Sequence, residues 1–113
     1  MNCKITTTED FERNFKRLFK KYRSLKKDLS DLVIELRNNP TIGDGLGDNV
    51  RKVRMAITSK NKGKRGGARV ITCNILIDVV NTKIYLLTIY DKGERTNISK
   101  KEIEEMRKIN GLI

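Results

Sequence analysis

Histidine is absent from the 113 residues of this chain. Its absence removes the commonest general base near neutral pH, most zinc sites and any Ser-His-Asp triad. An enzyme built from this sequence must work with Lys, Arg, Glu, Asp or Tyr. Tryptophan is missing too, and aromatic residues make up only 5% of the chain. The core is therefore expected to be aliphatic, built from Ile, Leu and Val. The two cysteines, Cys3 and Cys73, lie far apart and fit no metal spacing, so neither a metal nor a cofactor is expected. No apolar run approaches the roughly 20 residues that span a bilayer. The opening MNCKITTTEDF lacks the apolar stretch of a signal peptide. A cytoplasmic protein without membrane contact is expected.

What the chain has in excess is positive charge. Lys and Arg number 25 against 14 Asp and Glu, a net +11. Such a surface attracts polyanions and speeds encounters with them, and nucleic acid is the usual partner. Charged residues make up 35% of the chain, yet clear amphipathic periods in most segments argue against disorder. No internal repeat breaks the length, so residues 1–113 are read as one domain.

The elements follow from their periods. Thr7 or Thr8 caps a helix whose Phe11, Phe15, Leu18, Phe19 and Tyr22 recur at helical spacing. This aromatic stripe is expected to be core rather than a membrane anchor. Ser24 is read as the cap of a second helix bearing Leu25, Leu29, Leu32, Val33 and Leu36, stopped at Asn38-Asn39-Pro40. So short a link predicts an antiparallel helical hairpin. Residues 41–49, TIGDGLGDN, read as a loop. Period two then marks strands over Val50–Thr58, Ala68–Asp78 and Lys83–Tyr90, the last apolar enough to be covered on both faces. Ser99 with Glu102 forms a capping box for a final helix ended by Gly111. The order ααβββα predicts an α+β fold, with the helical hairpin packed on one face of a small antiparallel meander and the other face left for function. A strand over Asn2–Thr6 fits as an added edge.

Eight basic residues and no acidic one lie between Arg51 and Ile77: Arg51, Lys52, Arg54, Lys60, Lys62, Lys64, Arg65 and Arg69. A block of one sign on a strand–loop–strand unit suits several phosphates, although a solvated loop has the same composition. Lys52 and Arg54 share a strand face and so form a fixed pair. Gly66 and Gly67 lead into Arg69 and permit close backbone approach to a ligand. Arg69 has the same parity as Ile71 and Cys73 on the more apolar face, unless a bulge or its place at the strand start frees it. GKRGG is not a P-loop, because no Ser or Thr and no helix follows, so nucleotide binding is excluded.

VRKVRMAITSKNKGKRGGARVI followed by IYLLTIYDKGE closely resembles the signature of HigB-like toxins of the RelE superfamily, and NNPTIGDGLGD resembles their link from the second helix to the sheet. The resemblance spans the whole chain in the same element order. It implies a RelE-like fold and a ribosome-dependent endoribonuclease that cuts messenger RNA in the ribosomal A site. The implied partners are the ribosome, messenger RNA and a cognate antitoxin of the HigA-like, helix-turn-helix kind. Carried onto this chain, the site residues are Lys52, Arg54, Arg69 and Lys92, with Lys64 and Arg65 in the basic loop. Attack by a ribose 2′-hydroxyl on the adjacent phosphorus builds negative charge that fixed cations stabilise without a metal. Arg69 is assigned this role with Arg54 assisting, and Glu94 or Lys92 is assigned proton removal. Many RelE relatives carry a tyrosine in or before the last helix, whereas none follows Tyr90 here. A gyrase poison of the ParE type and a nucleic-acid-binding module without chemistry are the alternatives.

Overall fold

The computed structural model describes residues 2–61 and 63–113. Strand β1 (Asn2–Thr7) leads into helices α1 (Glu9–Lys21) and α2 (Leu25–Asn38). Strands β2 (Asp44–Gly47), β3 (Val50–Met55), β4 (Ala68–Leu76) and β5 (Asn81–Asp91) follow, and helix α3 (Lys100–Ile109) closes the chain. The α+β class, the helical hairpin and the closing helix are as expected.

The sheet departs from a simple meander. Its order is β1-β5-β4-β3-β2, and β1 lies parallel to β5, so the sheet is mixed. Part of the expected loop over residues 41–49 is strand β2, paired antiparallel with β3. Asp48 and Asn49 turn between them with φ of 54° and 63°. Two successive left-handed residues make a two-residue turn whose twist suits a hairpin, and Asp and Asn tolerate that conformation. Strand β3 stops at Met55, short of the expected Thr58, because α2 captures the chain. Asp28 accepts hydrogen bonds from the Thr58 amide (3.0 Å) and hydroxyl (2.6 Å), starting a 3-10 turn over Thr58–Lys60.

Thr8 caps α1, accepting from the Phe11 amide at 3.1 Å. Ser24 does not cap α2: its backbone is already helical, and its hydroxyl donates to Asp28 instead. The Ser99–Glu102 capping box forms as expected. Gly111, at φ 69°, ends α3, and the Leu112 amide reaches back to the Arg107 carbonyl at 2.8 Å.

Two apolar layers flank the sheet. Val53, Met55, Val70, Ile84, Leu86 and Ile89 pack with Phe11, Leu18, Leu32 and Leu36 of the hairpin. Val50, Ile71, Cys73, Leu87 and Tyr90 pack with Ile98 and Ile103 on the other face. That second face is therefore not wholly left for function, because α3 covers part of it. Strand β5 is buried on both faces, as its composition predicts. The aromatic stripe of α1 is only partly core: Phe11 and Tyr22 are buried, but Phe19 is 38% exposed.

Gly67 shows why a glycine precedes β4. A Cβ there would lie 2.2 Å from the Met55 carbonyl oxygen. The close approach expected of this glycine is to the chain's own β3 and not to a ligand. It lets β3 and β4 stay paired up to the Met55–Ala68 rung.

Candidate nucleic-acid interface

At the end of the sheet where β4 begins, three residues stand in register across three strands: Arg54 on β3 faces Arg69 on β4, which faces Tyr90 on β5. A bulge aligns the third. Ile71 pairs with Thr88 but Thr72 pairs with Leu86, so β5 carries one extra residue there. Leu87 and Tyr90, three apart, consequently both join the α3-side layer. Lys52 lies two rungs along on the same face as Arg54, its ammonium 3.3 Å from the Asn97 side-chain oxygen.

Directly opposed like charges destabilise a sheet. Here Arg54 and Arg69 form such a pair. Arg69 is only 5% exposed, and its guanidinium donates to the carbonyls of Lys64 (2.9 Å), Ala68 (3.1 Å) and Arg65 (3.0 Å). Burial and then the nearby Arg54 charge depress its pKa. The parity that places Arg69 with Ile71 and Cys73 is therefore real, yet the layer it joins thins out at this end into a charged floor. Lys92 reaches the same point: its ammonium lies 3.4 Å from the Arg65 carbonyl that Arg69 also holds.

The remaining predicted cations go elsewhere. Arg51 has the opposite parity to Lys52 and lies on the hairpin side with Val53 and Met55. Lys60 is drawn inward to Asp91, 2.7 Å from a carboxylate that is 1% exposed. Lys64 pairs with Glu35 of α2 at 2.8 Å. Arg65 is exposed and contributes its carbonyl to Arg69. Lys62 lies outside the described residues. Glu94 turns toward α1, where both its oxygens accept from Arg17 at 3.2 and 3.1 Å. The structure thus gathers Lys52, Arg54, Arg69 and Lys92, leaves Lys64 at the margin of the hollow that Lys52 and Arg54 line, and separates Arg51, Lys60 and Glu94 from them.

A family model described as the RelE toxin of the RelE / RelB toxin-antitoxin system matches residues 11–113. The chain belongs to this family. It is the toxin of a toxin–antitoxin pair, a family whose toxins inhibit translation, and a cognate antitoxin is its partner. Among the described residues no helix is long and apolar enough to cross a membrane.

The toxin's basic face holds two further groups, Arg95 and Tyr90, that were not among the expected site residues. Arg95 lies with its guanidinium carbon 5.6 Å from the Tyr90 ring centre, and it is ion-paired with Glu102. The signal was the capping box itself: one Glu102 oxygen serves Ser99, which leaves the other for a cation nearby. Tyr90 is 6% exposed, and its buried hydroxyl has no hydrogen-bond partner among the described residues. Burial raises its pKa against the opposing pull of Arg69 and Arg95, so the phenol stays protonated near neutral pH.

Asp91 anchors this end of the sheet. It accepts from Lys60, from the Tyr22 hydroxyl (2.6 Å) and from the Gly93 amide (2.9 Å). Burial alone pushes its carboxyl up, but those hydrogen bonds outweigh burial and hold it below the usual value. Lys60 also lies 3.4 Å from the Gly66 carbonyl. The loop whose carbonyls grip Arg69 is therefore tied to β5 through a buried ion pair.

Proposed function

We propose that this toxin is a ribosome-dependent endoribonuclease of the HigB-like kind that cuts messenger RNA in the cytoplasm and is restrained by a HigA-like antitoxin. The observation that carries the reading is the direct opposition of Arg54 and Arg69 across β3 and β4, close enough that, after burial, the Arg54 charge depresses the Arg69 pKa against the weaker opposing pull of Tyr90 and Asp44. A bound phosphate offsets that repulsion, and the extra charge of a phosphorane offsets it further, so the arrangement favours the transition state over the empty face.

The roles follow from exposure. Arg54 is exposed and contacts the scissile phosphate, with Lys52 beside it. Arg69, held by three carbonyls, supports the developing charge from the floor, which inverts the emphasis of the expected assignment, Arg69 leading and Arg54 assisting. The ribose 2′-oxygen bonds to phosphorus while the bond to the 5′-oxygen breaks, leaving a 2′,3′-cyclic phosphate and a 5′-hydroxyl. Lys92, exposed and sharing an acceptor with Arg69, takes the 2′ proton on its Nζ as general base, and the leaving oxygen is protonated by solvent. Glu94, paired with Arg17, takes no part. So sparse an acid–base set relies on the ribosome to hold the RNA in line.

The test is to add purified toxin to a reconstituted translation reaction and map message ends. Cuts confined to ribosome-bound messages are expected. Equal cutting of free RNA, DNA breaks with intact messages, or binding without cuts would each overturn the proposal.

A further inference from the structure

The helical layer carries a second surface, on the far side of the molecule from the basic face. Phe11, Phe15 and Phe19 stack along α1 with ring centres 5.9 and 6.1 Å apart. Phe11 is buried, Phe15 is half-buried and Phe19 is open. Across from them on α2 lie Leu29, Val33 and Ile34, the last 58% exposed. Together they form a groove of about 380 Å³ between the two helices, and a second depression continues it past Phe19. Lys16, Lys26 and Arg37 rim the two hollows, and none is in an ion pair among the described residues. Among the described residues that line the hollows the single acid is Glu12, which accepts from the Thr7 hydroxyl.

An apolar stripe about two helical turns long, bordered by cations, matches an amphipathic helix with acidic flanks. Two other occupants fit less well. A second copy would set one cationic rim against another. RNA bases need free aromatic faces, whereas these rings are stacked face to face at an interplanar angle of 18°. We propose that the α1–α2 groove is the docking site for an acidic amphipathic helix of the cognate antitoxin, and that this contact leaves the basic sheet face uncovered. The proposal rests on family membership and not on the ribonuclease reading.

The test measures the affinity of folded full-length toxin variants for the antitoxin encoded beside the toxin gene, by calorimetry. Phe19→Glu and Ile34→Glu each place a carboxylate in the stripe and should weaken binding at least about 100-fold, the scale of a lost interface anchor. Lys26→Glu combined with Arg37→Glu alters only exposed rim side chains and should weaken it at least about tenfold. Val79→Glu, on the equally apolar but remote β4–β5 turn, should leave affinity unchanged. Growth arrest by each variant expressed without antitoxin should match the wild type. Antitoxin affinity within about twofold of wild type in the groove variants would overturn the proposal. So would loss of binding in Val79→Glu alone, loss of wild-type self-association, or loss of RNA binding with antitoxin affinity intact. Loss of toxicity together with retained antitoxin binding would place the groove in the toxic activity and overturn it as well.

Discussion

Replacing Arg54 with alanine is expected to slow single-turnover cleavage of ribosome-bound message by about 10²–10³-fold, the range for removing one preorganised donor to a developing oxyanion. The same variant should melt at the wild-type temperature or slightly above it. Arg54 is exposed and stands directly opposite Arg69, so its removal relieves a like-charge contact and opens no cavity. Activity lost while stability is kept or gained is the signature of a residue retained for function at a cost to the fold. Arg54→Lys keeps the charge but loses the planar fork and should retain an intermediate rate. A folded Arg54→Ala toxin cutting within about threefold of wild type would remove this residue from the site. Arg69 is the poorer first target, because its truncation would also leave the Lys64, Arg65 and Ala68 carbonyls without their donor.

Asp91→Asn should show the opposite pattern, a large loss of stability. The substitution preserves shape but strips the counter-charge from Lys60, whose side chain is 21% exposed. Breaking a buried ion pair from one side costs about 3–5 kcal/mol, and the partial exposure of Lys60 points to the lower end. About 3 kcal/mol corresponds to a fall in melting temperature of about 12 °C for a chain of this size. Because Lys60 also touches the Gly66 carbonyl, the loop that holds Arg69 should loosen, and cleavage should fall as a secondary effect. The pH dependence has a definite sign. The folded carboxyl titrates below its unfolded value of about 3.9, so its stabilisation is complete above that value. It is lost as pH falls through the depressed folded value. Thermal melts between about pH 7 and pH 3 should therefore show wild type losing its advantage over Asp91→Asn only at the acid end. A constant gap across that range, or no gap at all, would contradict the assignment.

Most elements were legible because their hydrophobic periods are local. Phe11 and Leu18 mark one helix, Leu25 and Leu32 the next, and the unbroken apolar run of β5 announces an inner strand. The parallel pairing of β1 with β5 was not legible, since Asn2 and Asn81 are far apart along the chain and no short-range pattern encodes that contact. Strand β2 escaped notice because its four residues include two glycines and bury little; only its turn, Asp48-Asn49, gives it a register.

Within the site, parity alone placed Lys52 and Arg54 on one face. The sorting of the other cations depended on acids supplied by distant elements. Glu35 on α2 takes Lys64, Asp91 at the end of β5 takes Lys60, and Arg17 on α1 takes Glu94. A run of like charge in sequence is thus divided in space by partners that the run does not contain.

The central claim is that a 2′-oxygen is the attacking group at the phosphate held by Arg54 and Arg69. It is tested most directly by a message carrying a single 2′-deoxy nucleotide just 5′ of the mapped cut, presented on the ribosome to wild-type toxin. The account predicts that cleavage at that linkage disappears, while the all-ribose message is cut to leave a 2′,3′-cyclic phosphate. Cleavage of the deoxy-substituted linkage at a comparable rate would contradict it.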